Sequence, residues 1–133
     1  MKAKNKMKAK TILILLMAAL MILFTACDSS SNTTSGQQKS FIFEVTDASG
    51  NVTSQTIDTK EATVGDALVE LGLIDGPVSD FGMMVLHVNG IRADYGEDNA
   101  WWQVLVNGEM AMVGVDSLEI EDGATYSFVF TEA

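Results

Sequence analysis

The sequence predicts an α+β domain, a mainly antiparallel sheet with one short helix packed on one face, and three observations predict it. Apolar and polar residues alternate in several short runs, the pattern of strands with one buried side. One stretch alone, following Thr63, combines helical spacing with a helix start signal. Asn89-Gly90 and Asn107-Gly108 each follow an apolar run, and Asn-Gly in that setting is the strongest short hairpin signal. At 133 residues, 47% of them apolar, the chain has room for a single domain.

The folded part is expected to span residues 41–133. Phe41, Phe43 and Val45 alternate with Ile42, Glu44 and Thr46, a loop follows at Asp47-Ala48-Ser49-Gly50-Asn51, and the threonine-rich run from Val52 to Asp58 completes a hairpin. Thr63 is placed as a helix N-cap with Asp66 in the third position of a capping box. Val64, Ala67, Leu68 and Leu71 then form one apolar stripe, and Gly72-Leu73 supply a Schellman ending. After Pro77, Met83 to Val88 reads as a strand closed by Asn89-Gly90. Trp101 to Val106 reads as another, turning at Asn107-Gly108, and Thr125 to Phe130 reads as the last, with Tyr126, Phe128 and Phe130 on one side. Strand, strand, helix and then several strands is the order of a β-grasp-like roll.

The ends of the chain differ sharply in charge. Five of the eight basic residues are Lys2, Lys4, Lys6, Lys8 and Lys10, and they precede an apolar run from Ile12 to Phe24. A basic start, an apolar stretch too short to span a bilayer and small residues before the cut describe a secretory signal peptide. Thr25-Ala26-Cys27 resembles the bacterial lipobox, with Phe24 where leucine is usual, which implies cleavage after residue 26 and diacylglycerol on Cys27, the only cysteine. Residues 27–40, rich in Ser, Thr, Asn and Gln, then form a disordered tether of about 20 Å root-mean-square span. These readings place the protein, lipid-anchored, on the extracytoplasmic face of the bacterial cell membrane. Beyond Cys27 only Lys39, Lys60 and Arg92 stand against all 18 acids, a surface that excludes nucleic acid as a partner.

From Phe41 onward the chain resembles a bacterial domain of unknown function carried on secreted and surface lipoproteins, related to the C-terminal β-domain of the vitamin B12 carriers transcobalamin and intrinsic factor. The resemblance rests on Thr63-Val64-Gly65-Asp66-Ala67-Leu68, Val88-Asn89-Gly90-Ile91, Trp102-Gln103, Asn107-Gly108-Glu109, Gly114-Val115-Asp116 and Asp122-Gly123, in that order. It implies a small-ligand binding module with cobalamin or another corrinoid as ligand. The carriers' helical barrel, which forms the other wall of their site, has no counterpart in this chain.

Candidate site residues follow from the pleat. Neighbouring strand residues point to opposite faces, so Trp102, Val104 and Val106 are assigned to the core and Trp101, Gln103 and Leu105 to the outer face. An indole beside an amide suits a planar ligand with peripheral carboxamides. His87 is expected as a solvated sheet-face histidine rather than a metal ligand. Asp94, Glu97, Asp98 and Asn99 around Tyr95-Gly96 are expected as a solvated acidic loop, their spacing not being that of an EF-hand. Met83, Met84, Met110 and Met112 are expected in ordinary packing. The chain lacks a nucleophile elbow, an HExxH zinc motif and a phosphate loop, so no enzymatic activity, resident cofactor or structural metal is expected. The alternative to ligand binding is a protein-interaction or adhesion module at the cell surface.

Overall fold

A computed structural model describes residues 36–133. The expected signal peptide, Cys27 and most of the tether lie outside the described residues. Among the described residues, no helix is long and apolar enough to cross a membrane.

The chain opens with β1 (Lys39–Thr46) and β2 (Val52–Thr59), paired antiparallel along their full lengths. Asp47 shapes their turn by accepting the backbone N–H groups of Ser49 and Asn51. The helix α1 (Val64–Glu70) follows, then the short strands β3 (Ile74–Asp75), β4 (Val78–Ser79), β5 (Gly82–Met83), β6 (His87–Val88) and β7 (Ile91–Arg92). Next come β8 (Ala100–Val106), β9 (Glu109–Met110), a 3-10 turn at Val115–Ser117 and β10 (Thr125–Glu132). The main sheet has the order β2-β1-β10-β8-β9, so the first and last strands lie at its centre. They run parallel and the other pairs of this sheet are antiparallel. This is the expected α+β roll, a mainly antiparallel sheet with one short helix.

An aromatic ladder on β10 organises the core. Tyr126, Phe128 and Phe130 each meet a ring from a neighbouring strand: Phe41 at 5.3 Å, Phe43 at 5.4 Å and Trp102 at 5.5 Å between centroids, all edge to face. Such pairs contribute about 0.5–1.5 kcal/mol each beyond the burial of their area. Val64, Ala67 and Leu68 of α1 join these rings in one buried cluster with Ile74, Val88, Val115 and Ile120.

The helix begins and ends as its sequence dictates. Thr63 Oγ1 accepts the Asp66 N–H, and Leu73 N–H and Gly72 N–H donate to Leu68 and Val69 carbonyls, the two bonds of a Schellman motif. Leu71 departs from the expected stripe: as the C-cap it lies more than half exposed. Both Asn-Gly pairs form their turns, with positive φ at Asn89, Gly90, Asn107 and Gly108.

Two boundaries move. The first strand starts at Lys39, not Phe41, because Ser40 is pinned on both sides, its N–H by Asp122 and its C=O by the Gly123 N–H. The expected Met83–Val88 strand is broken into β5 and β6. Asp75 pairs with His87 but Val78 pairs with Met83, so Gly76-Pro77 face three residues, Met84 to Leu86. The Pro77 carbonyl accepts the Met84 N–H and Pro77 has none to return, and the resulting bulge lets Met83 and Val85 pack on the core together with Val88.

Candidate functional site

The two tryptophans separate as the pleat requires. Trp102 is 6% exposed, in the core against Phe130, whereas Trp101 is 38% exposed on the opposite face. The Trp102 indole Nε1 is buried without a protein acceptor.

Strand register builds the outer face around Trp101. Trp101 lies opposite Thr131, Gln103 opposite Val129, and Leu105 between Ser127 of β10 and Met110 of β9. Ile42, Trp101, Gln103, Leu105 and Val129 all stand outside the core cluster, which lies on the other side of the sheet with α1. Across this face Ser127 Oγ donates to Glu44 Oε1 at 2.9 Å, which holds a carboxylate in the middle of the sheet. The three residues named from the sequence therefore share one open face. The cavity bounded by Phe43, Gln55 and Leu73 and the one bounded by Gln55, Ile57 and Leu71 lie elsewhere and do not include Trp101.

The loop before β8 supplies a second ring. Arg92 sits at its centre, paired with Glu97, with Asp98 at 3.1 Å and with Asp94 at 3.7 Å. The hydrogen bond that Arg92 donates to Glu97 raises the Arg92 pKa above its ordinary value, with the neighbouring carboxylates adding to it. Asp94 also accepts the Gly96 and Glu97 backbone N–H groups, and Asp98 accepts that of Asp94. The acids expected as a solvated loop are thus wrapped round a guanidinium. Tyr95 is turned outward, 6.0 Å from Trp101 at a tilt of 56°. Sequence reasoning missed Arg92 and Tyr95 as parts of the site. The signal was available, since the only arginine shortly precedes a cluster of three acids, Asp94, Glu97 and Asp98.

Among the described residues, no group of three or more His, Cys, Asp or Glu is arranged to hold a metal ion. His87 is not merely solvated: its Nδ1 lies 2.6 Å from Asp75 Oδ1 across the β3–β6 pair. Met110 and Met112 are exposed rather than packed, and so is Met84. The site can accordingly offer two aromatic faces, an amide and a carboxylate to a flat ligand or partner surface.

The domain is an α+β roll with one aromatic-bearing sheet face outside its core. The sequence profile of the domain of unknown function DUF4430 matches residues 61–132, and the chain belongs to that family. No curated protein matches it. Among solved structures, the chain is similar to a provisionally assigned metal binding protein from Ruminococcus gnavus ATCC 29149. The TM-score is 0.67 at 22% identity, over 71% of this chain and 98% of that one. It is also similar to haptocorrin in complex with Cbi, with a TM-score of 0.62 at 16% identity, over 80% of this chain and 28% of that one. At such identities the likeness is one of fold, and the chain spans under a third of the haptocorrin chain.

Two of the motif stretches behind the family resemblance, 63–68 and 114–116, meet in space. Thr63 bridges to Glu119, Val64 N–H donates to the Leu118 carbonyl, and Gly65 lies against Val115. These two form the seam between helix and 3-10 turn, whereas Gln103 of another stretch stands on the open face.

Proposed function

We propose that this chain is a lipid-anchored, extracytoplasmic binding protein that takes a small flat ligand on the face formed by Trp101, Gln103 and Leu105. The observation that carries this reading is the pairing of Trp101 with Tyr95 on a sheet face that lies outside the core. Half-exposed aromatic rings gain most from a planar apolar partner, and Gln103 beside them can satisfy a carboxamide. A corrinoid is the first ligand to try, supported by the fold shared with haptocorrin, whose structure holds Cbi. A metal ion is supported less well, because the acids nearest the rings are already paired with Arg92. No catalytic step belongs to this reading.

One domain offers one wall, so binding should be weak unless a second chain completes the site. Titration with cobalamin and with cobinamide, followed by tryptophan fluorescence, tests the reading. A saturable change in the wild type that is lost in Trp101→Ala is expected. Absence of any change up to about millimolar ligand, where binding is worth only about −4 kcal/mol, removes it. The anchor is tested separately: Cys27→Ala should release the protein from the membrane fraction.

A further inference from the structure

The geometry points to a second site, on the far edge of the main sheet from β9: a groove in which an extended, cationic peptide segment of another protein adds as a strand to β2. This inference is independent of the Trp101 reading.

Natural sheets blunt their edges with charges, proline, bulges or brevity. At one edge of this sheet, β9 has two residues. At the other, β2 has eight, in register with β1 throughout, with no proline or glycine and no charge from Val52 to Ile57. The direction of its free groups follows from β1. The Ile42 N–H donates to Ala124, beside β10, so the even-numbered residues of β1 bond towards β10 and the odd-numbered ones towards β2. In β2 it is then Thr53, Gln55 and Ile57 that bond to β1. The N–H and C=O groups of Ser54 and Thr56 point away from the sheet, without a strand to meet them.

Beside that edge the core layer stops short. Ile57 and Thr59 are buried, but Thr53 and Gln55, on the same face, are exposed. Two cavities of roughly 390 Å³ each lie there. One is bounded by Thr53, Gln55, Leu73 and Asn89 and the next by Gln55, Ile57, Leu71 and Leu73, so that they form one groove along β2. Leu71, left exposed at the helix C-cap, is part of its apolar wall. An added strand would direct every second side chain into this groove and the others to the outer face.

Charge selects the occupant. Asp58 is the penultimate residue of β2, Asp47 and Glu61 flank it and Glu44 lies on the neighbouring strand opposite Ser54; the cations beside them are Lys60, next in sequence, and Lys39, which lies opposite Thr59 and donates to the Ile120 carbonyl. A second copy of this chain would set these acids against themselves, so a segment alternating apolar with basic residues fits and self-pairing does not.

The test uses the full chain in detergent and a labelled, end-blocked peptide of alternating valine and lysine about eight residues long. The proposal expects saturable binding that raises protection of the Ser54 and Thr56 amides from hydrogen exchange at least tenfold. The same peptide with glutamate for lysine should not bind. Thr56→Pro removes one outward donor while sparing the bonds to β1, and it should weaken binding at least tenfold with the melting temperature nearly unchanged. Leu71→Ser should weaken it through the groove wall. Equal binding to Thr56→Pro, unprotected Ser54 and Thr56 amides, no binding at all, or a dimer that Thr56→Pro dissolves would each overturn the proposal.

Discussion

Gly65 packs so closely on Val115 that a Cβ placed on it would fall 2.9 Å from the Val115 carbonyl oxygen and 2.9 Å from Asp116 Oδ1. The carbonyl is backbone and cannot swing aside. Gly65→Ala is therefore expected to destabilise the domain by about 1–3 kcal/mol despite alanine's better helix propensity. Denaturant unfolding measures it, and a neutral or stabilising result would show that the seam between α1 and the 3-10 turn can open at little cost.

Tyr126 is expected to hold the loop before β10. Its hydroxyl accepts the Glu121 N–H at 2.8 Å and donates to the Glu119 carbonyl at 2.9 Å, with its ring fully buried. Tyr126→Phe leaves both backbone groups unpaired and should cost about 1–3 kcal/mol. Burial raises the phenol pKa above its ordinary value near 10. The folded state thus favours the protonated phenol: this contribution is intact below about pH 10 and is lost as pH climbs through the raised pKa. Alkaline unfolding should accordingly be delayed in Tyr126→Phe relative to its own neutral stability.

Acid should loosen the β1–β2 turn. The Asn51 side chain, and with it the Asn51, Ser49 and Gly50 backbone bonds, holds the Asp47 carboxyl below its ordinary value. A lowered carboxyl pKa contributes stability above about pH 3.9, and that stability disappears as pH falls through the folded value. Carboxyl titration by NMR should place Asp47 below a free aspartate, and Asp47→Ala should speed amide exchange at Ser49 and Asn51 before it affects β10.

The tryptophans should be separable by spectroscopy. Trp101→Ala should leave a blue-shifted, poorly quenched emission from Trp102, and Trp102→Ala should cost about 3–5 kcal/mol. Trp102→Phe should cost distinctly less, because it also removes the indole N–H that has no acceptor. Acrylamide quenching that fails to distinguish the two rings would contradict the parity assignment.

What the sequence made legible was local. The Asn-Gly turns, the Thr63 cap, the Schellman ending and the split of Trp101 from Trp102 each depend on a few adjacent residues, and each formed as read. The bulge opposite Gly76-Pro77 was not legible, because it is decided by which strand Met83 to Val88 meets. Leu71 satisfied the helical spacing but fell where the helix stops turning, so spacing overstated its burial. The Trp101 face was found by parity, while its second ring was missed because Tyr95 is placed by ion pairs to Arg92. The central parallel pairing joins strands from opposite ends of the domain, and no short-range pattern announces it.

That pairing fixes an orientation. Since β1 and β10 run the same way, the chain enters the sheet at Lys39 and Thr46 lies level with Val129, about 23 Å further along. Trp101 sits opposite Thr131, two residues beyond that level. Lys39, where the chain enters, and Trp101 therefore stand toward opposite ends of the main sheet, and a ligand seated on the indole would not meet the entering strand end.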